Sequence, residues 1–263
     1  MKTRTILLAA AVLLAPAAAV AQGGLPSCNT NATTSPFGSA RLTSPFLWAF
    51  VNNECTDLSS YIVSAQGGQV WSVNSPTLQL GAGSVQVRSV FDSDPFITFG
   101  ATTINLSGSP VTFAFLFGTP VIPGSYDMAT STGGVSVTNG ARGTTTVSTS
   151  GIHPTFISGY GTVGFSPTNL GVDLGTASCI ASGVPFTVTT TCNQGTTTNS
   201  FGPTFYDNLE GLLTYTQDDL SSVASWSGAV TLTVSATPEP ATIGLFGVGL
   251  VAIGGVARRR RTS

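Results

Sequence analysis

Between residues 46 and 235 the chain breaks into short runs rich in Val, Thr, Phe and Ile, separated by clusters of Gly, Pro, Ser and Asn. Runs of this length and composition, punctuated by turn formers, read as strands. They cover 46–51, 69–73, 84–91, 96–106, 111–117, 134–138, 144–148, 186–191, 212–216 and 229–235. In Ser84-Val85-Gln86-Val87-Arg88-Ser89-Val90 the apolar residues fall on every second position until the end, so one face of the strand is dry and the other wet. In 111–117, Phe113, Phe115 and Phe117 share one face, with Ala114 and Leu116 opposite, which puts this strand at the centre of the core. The turn-punctuated spacing predicts an all-β body, an antiparallel β-sandwich of jelly-roll or immunoglobulin-like kind. Long loops are expected at 124–134 and 195–203. One short helix is expected over 216–224, where Asp218 and Asp219 suit a helix N-terminus.

The two ends follow another pattern. Lys2 and Arg4, an uncharged apolar run from Ile6, and a closing Ala19-Val20-Ala21 predict an export signal over 1–21, cleaved before Gln22. At the other end stand Pro238-Glu239-Pro240, an uncharged Gly-rich run over 241–257, and Arg258, Arg259, Arg260 and Arg261. As a helix that run rises roughly 25 Å, just short of the roughly 30 Å hydrocarbon core. Arg side chains can reach the headgroups and make up the deficit, and an Arg cluster stays cytoplasmic. A single C-terminal transmembrane helix over 241–257 is therefore expected, with the body at 22–236 outside the membrane and a tail over 237–263. The two prolines cannot continue a helix, so Pro-Glu-Pro is an extended, accessible peptide beside the bilayer.

In order, spacing and position this tail resembles the PEP-CTERM family of sorting signals, a tail type also labelled ice-binding protein C-terminal domain. The resemblance covers residues 238–263 alone, and Thr237 stands where the family often has Val. It implies that an exosortase recognises Pro238, Glu239 and Pro240 and processes the tail. It also implies the envelope or outer surface of a Gram-negative bacterium that makes exopolysaccharide.

Charge and cysteine content narrow the rest. Six of the nine basic residues sit in the two ends, leaving Arg41, Arg88 and Arg142 in the body against ten acids. So few cations cannot neutralise several phosphates, which excludes a nucleic-acid partner. An even number of cysteines in an exported chain predicts two disulfides. Of the three pairings, Cys28–Cys55 and Cys179–Cys192 join neighbours in sequence and need no threading of the chain.

Catalytic signatures are missing from the sequence. The sole histidine, His153, sits in a Gly-flanked segment, no serine lies in G-x-S-x-G, and no phosphate or dinucleotide loop occurs. No catalytic residue and no cofactor are expected. Asp92, Asp94, Asp218 and Asp219 are weak candidates for oxygen ligands of Ca²⁺. Asp92-Ser93-Asp94-Pro95 lacks the Gly and later Glu of a calcium loop, however, and an Asx turn before a proline accounts for it. Trp48, Trp71 and Trp226 stack on sugar rings if exposed and serve as packing otherwise. The Thr-rich stretches at 144–146 and 187–191 lack the regular repeat of an ordered hydroxyl face. The expected function is a noncatalytic surface or extracellular-matrix protein associated with exopolysaccharide. The alternatives are a carbohydrate- or Ca²⁺-binding adhesion module and a secreted hydrolase.

Overall fold

A computed structural model describes residues 28, 41–65, 67–151 and 153–234. The export signal, Pro238–Pro240, the span at 241–257 and Arg258–Arg261 lie outside the described residues. Among those described, no helix is long and apolar enough to cross a membrane.

The described chain is all-β: sixteen strands in two antiparallel sheets, each of eight strands. The first sheet runs β12 (Ser166–Asn169), β11 (Ile157–Val163), β15 (Asn208–Gln217), β8 (Val111–Pro120), β1 (Phe46–Val51), β2 (Glu54–Asp57). Off this path, β10 (Thr144–Ser148) pairs with β15 and with β13 (Cys179–Ser182). The second sheet runs β14 (Thr189–Phe205), β9 (Ser125–Thr138), β16 (Val223–Thr233), β7 (Phe96–Asn105), β6 (Gly83–Asp92), β4 (Val70–Asn74), β3 (Ile62–Ser64). Beside it, β5 (Leu78–Leu80) pairs with β6.

Alternation along the strands sets two inner faces against one core. Val85, Val87 and Phe91 of β6, Ile97, Phe99 and Ala101 of β7, and Phe113, Phe115 and Phe117 of β8 all belong to one buried cluster. Aromatic rings join the sheets across it: Phe99 lies 5.1 Å from Phe117, and Trp226 lies 5.2 Å from Tyr215 and 4.9 Å from Phe156. The strand at 111–117 is thus central, as its pattern predicts, and it is buried on both sides. Ala114 and Leu116 point the other way into a second cluster with Leu42, Phe46, Trp48, Phe50, Tyr160 and Leu212. This explains why β1 reads as a continuous apolar run: a strand covered on both faces has no wet side to mark with polar residues. Gly118 of β8 makes room for Phe46, since a Cβ there would lie 2.1 Å from the Phe46 ring.

A buried polar network closes one end of the core. Tyr215 Oη and Thr103 Oγ1 are 2.8 Å apart, and the Thr103 hydroxyl donates to Gln217 Oε1 at 3.0 Å. Gln217 Nε2 donates to Ser222 O at 2.7 Å, and Asn105 Nδ2 donates to Gln217 O at 2.9 Å. Tyr215, Thr103, Gln217 and Asn105 each find a hydrogen-bond partner within the network, so it can fix register at little cost in buried polarity.

Three expectations are overturned. Residues 124–134 are mostly strand, the first part of β9, and 195–203 lie within β14. The helix expected over 216–224 is a tight turn between β15 and β16. Asp218 Oδ1 accepts the Thr146 N–H at 2.7 Å, while Asp219 accepts the Arg142 N–H at 3.2 Å. The carboxylates therefore hold the start of β10 in place, and Ser221 turns the chain at φ 58°.

Candidate functional site

A cleft of about 640 Å³ opens at the end of the molecule where β4 starts. Trp71, half-buried, leans its inner side on the main core and its outer edge on this cleft. Around it stand Arg41, Thr43, Gln69, Ser93 and Ile122. Backbone hydrogen bonds tie these walls together: Ser93 N–H donates to Gln69 O at 3.0 Å, and Ile122 N–H donates to Ser93 O at 2.8 Å. The Arg41 guanidinium donates to Val121 O at 3.0 Å, and Leu42 N–H donates to Asn208 Oδ1 at 2.7 Å. Tyr126 braces the far wall by donating to Ile122 O at 2.9 Å; burial, then the nearby Asp94 carboxylate, raises its phenol above the ordinary value. An aromatic edge with a few fixed donors and acceptors in an open cleft can contact a polar ring-shaped ligand.

A second, shallower hollow of about 440 Å³ crosses the outer face of the second sheet. Thr191, Ser136, Ser225 and Thr102 fall in one row across β14, β9, β16 and β7. Their hydroxyls bond along that row, Ser136 to Thr191 at 2.9 Å and Thr102 to Ser225 at 3.2 Å. The period of two along the strands thus builds a hydroxyl surface from segments that share no sequence repeat. The Thr-rich stretch at 144–146 is elsewhere, on β10 of the first sheet, with Thr145 fully buried.

The residues singled out in the sequence scatter. Cys28 pairs with Cys55 and Cys179 with Cys192, with Cα–Cα distances of 5.9 Å and 5.8 Å, the expected connectivity. Trp48 and Trp226 are core residues at 0% and 3% exposure, which leaves Trp71 as the tryptophan beside a cleft. Asp92 and Asp94 form the Asx turn expected of them, Asp94 N–H donating to Asp92 Oδ1 at 2.9 Å, next to the Trp71 cleft. Asp218 and Asp219 lie beyond the opposite end of β7, roughly 30 Å away for ten residues of strand. The two acidic pairs are therefore not brought together. Among the described residues no group of three or more His, Cys, Asp and Glu side chains could hold a metal ion. His153 lies between β10 and β11, its backbone N–H donating to Ser150 Oγ at 3.4 Å. Arg41, Gln69 and Ile122 were not legible as site residues, because their meeting depends on the pairing of β4 with β6 and on the β8–β9 connection.

Residues 236–261 match the family model of the PEP-CTERM protein-sorting motif. No curated protein matches the chain. Among solved structures it is similar to TmCBM61 in complex with β-1,4-galactotriose, at 7% identity and TM-score 0.25, over 60% of this chain and 99% of that one. It is also similar to the adhesin domain of Epf from Streptococcus pyogenes, at 9% identity and TM-score 0.30, over 72% of this chain and 59% of that one. Likenesses this faint carry no argument. The sorting motif does: it marks an exported protein of the Gram-negative cell envelope whose tail is processed by an exosortase.

Proposed function

We propose that this chain is a noncatalytic structural protein of the bacterial surface or extracellular matrix, with a β-sandwich body delivered into an exopolysaccharide-rich envelope. The observation that carries this is the sorting motif at 236–261. In this reading the export signal at 1–21 is removed. Residues 241–257 hold the chain in the membrane as one helix, and the exosortase acts at Pro238-Glu239-Pro240 with Arg258–Arg261 on the cytoplasmic side. Two disulfides suit a body that works in an oxidising compartment. Deleting residues 238–263 is expected to release the body to the medium or leave it misprocessed, read by fractionating cells and probing for surface display. Unchanged display after that deletion overturns the sorting reading.

A second reading is favoured by the Trp71 cleft: the body holds a saccharide unit of that polysaccharide without cleaving it. The support is the half-buried indole edge flanked by Arg41, Thr43, Gln69 and Ser93. Calorimetry with the host's own polysaccharide is expected to give heat of binding. Trp71→Ala should weaken the affinity by about tenfold, the equivalent of about 1.4 kcal/mol of aromatic contact. No heat, or an affinity that Trp71→Ala leaves unchanged, removes this reading.

A further inference from the structure

Asn208 of β15 pairs with Pro120 of β8 and with Thr162 of β11. The turn after β14, the β8–β9 connection and the β11–β12 hairpin therefore close the same end of the sandwich. Phe205 of β14 lies there beside Ser125 of β9, and Thr233 of β16 beside Met128. The hairpin tip is fastened to the turn after β14: Gly164 N–H donates to Asp207 Oδ2 at 2.7 Å, and Asp207 N–H donates to Thr162 O at 2.8 Å. Phe165 on that tip and Phe205 at that turn project from this end at 73% and 68% exposure, with Val163 and Val234 beside them at 43% and 61%. Large apolar side chains gathered at one end and left in water mark a surface that meets an apolar partner.

The place where the chain leaves the body selects that partner. Val234 stands at this end, and only residues 235–240 separate it from the apolar run at 241–257. Fully extended, that link reaches at most roughly 25 Å. With the run in the membrane, the end that carries Phe165 and Phe205 cannot stand farther than that from the bilayer. Val184 and Phe186 are also exposed, but they lie at the opposite end, where Val184 O accepts from the Asn139 side chain just past β9. The length of a ten-residue strand such as β15, roughly 30 Å, separates the two ends.

We propose that, while the tail is anchored, this end of the body rests on the bilayer with Phe165 and Phe205 set into the boundary between headgroups and acyl chains. The proposal rests on the reading of 241–257 as a membrane span. Apolar side chains enter that boundary to a depth of roughly 5–10 Å. Two phenyl rings hold a free protein on a membrane only weakly. A short tether makes the contact intramolecular, at an effective concentration in the millimolar range, so here two rings suffice. Charge narrows the kind of surface. Asp92, Asp94, Asp127 and Asp207 stand at this end against Arg41, so a zwitterionic bilayer suits it and an anionic one repels it.

The test uses the full chain from Gln22 to Ser263 reconstituted in phosphatidylcholine vesicles, with a bimane label on Phe165→Cys or, as the control, on Val184→Cys. Flotation with the vesicles reports the anchor, and quenching by brominated phosphatidylcholine reports contact with the acyl chains. The chain is expected to float, and the label at 165 to lose about half its fluorescence while the label at 184 keeps it. A floating chain whose two labels respond alike overturns the proposal and leaves the anchor standing. A chain that does not float overturns the anchor, and the proposal with it. Should the cysteine at 165 scramble the disulfides, the label goes on Phe205→Cys and the same outcomes decide.

Discussion

Tyr215 shows how much one buried hydroxyl does here. It is fully buried on β15, stacks at 5.7 Å on Phe113, and bonds Thr103 of the facing sheet. Burial pushes its phenol well above the ordinary 10.0, and the Thr103 bond works weakly the other way. Below about pH 10 the phenol is neutral folded or unfolded, so it adds no pH dependence there. Above that the unfolded chain releases the proton that the folded one keeps, and stability falls as pH rises. Tyr126, Tyr160 and Tyr206 are raised by burial too, so they steepen the same alkaline limb. Tyr215→Phe is expected to cost about 1 kcal/mol at neutral pH, for the lost hydrogen bond, and to make that limb shallower. Urea unfolding at pH 7 and at pH 11 checks both parts. At this scale the sequence shows which side chains are chemically notable but not where they end up. Trp48, Trp71 and Trp226 look alike in the sequence, yet two are core and one edges a cleft.

Strands with a strong apolar period were legible; strands built from small polar residues were not. β1 falls at the expected residues, and β6, β7 and β8 within a few residues of them, because Val, Ile and Phe mark their buried faces; β10, Thr-Thr-Thr-Val-Ser, is the exception, a short polar strand legible from its β-branched run. The middle of β9, Thr130–Gly134, and most of β14 are Ser, Thr, Gly and Asn, which read equally as turn chemistry. What makes them strands is the partner: Thr196–Ser200 pair with Thr132–Met128 along an otherwise irregular ladder. The misread helix at 216–224 has the same origin, since its two carboxylates find backbone donors 72 to 77 residues away. The disulfide at Cys179–Cys192 adds a covalent tie just ahead of the irregularity between Asn193 and Gly195, fastening β13 of the first sheet to β14 of the second across 13 residues. Replacing both cysteines by alanine is expected to cost about 3 kcal/mol, the scale of closing a loop of that size, measured by chemical denaturation under non-reducing conditions.

At the scale of the molecule the two sheets divide the work. The first is buried on both faces around β1 and β8 and supplies rigidity. The second shows a hydroxyl face and an uncharged end strand to the outside, and the Trp71 cleft opens where β4 begins. One feature of the connectivity bears on how such a body comes to exist outside the cell. Among the described residues β16 is the last strand, ending at Thr233, just ahead of the sorting motif at 236–261, and it lies in the middle of its sheet, bonded to β9 and to β7. A polypeptide threaded outward from its N-terminus therefore delivers its keystone last. Until then β7 and β9 stand apart with open flanks, and the core cannot shut. In the proposed reading, completion of the fold and arrival of the sorting motif at the membrane fall at nearly the same moment of translocation, so the exosortase would meet a body that has only just closed.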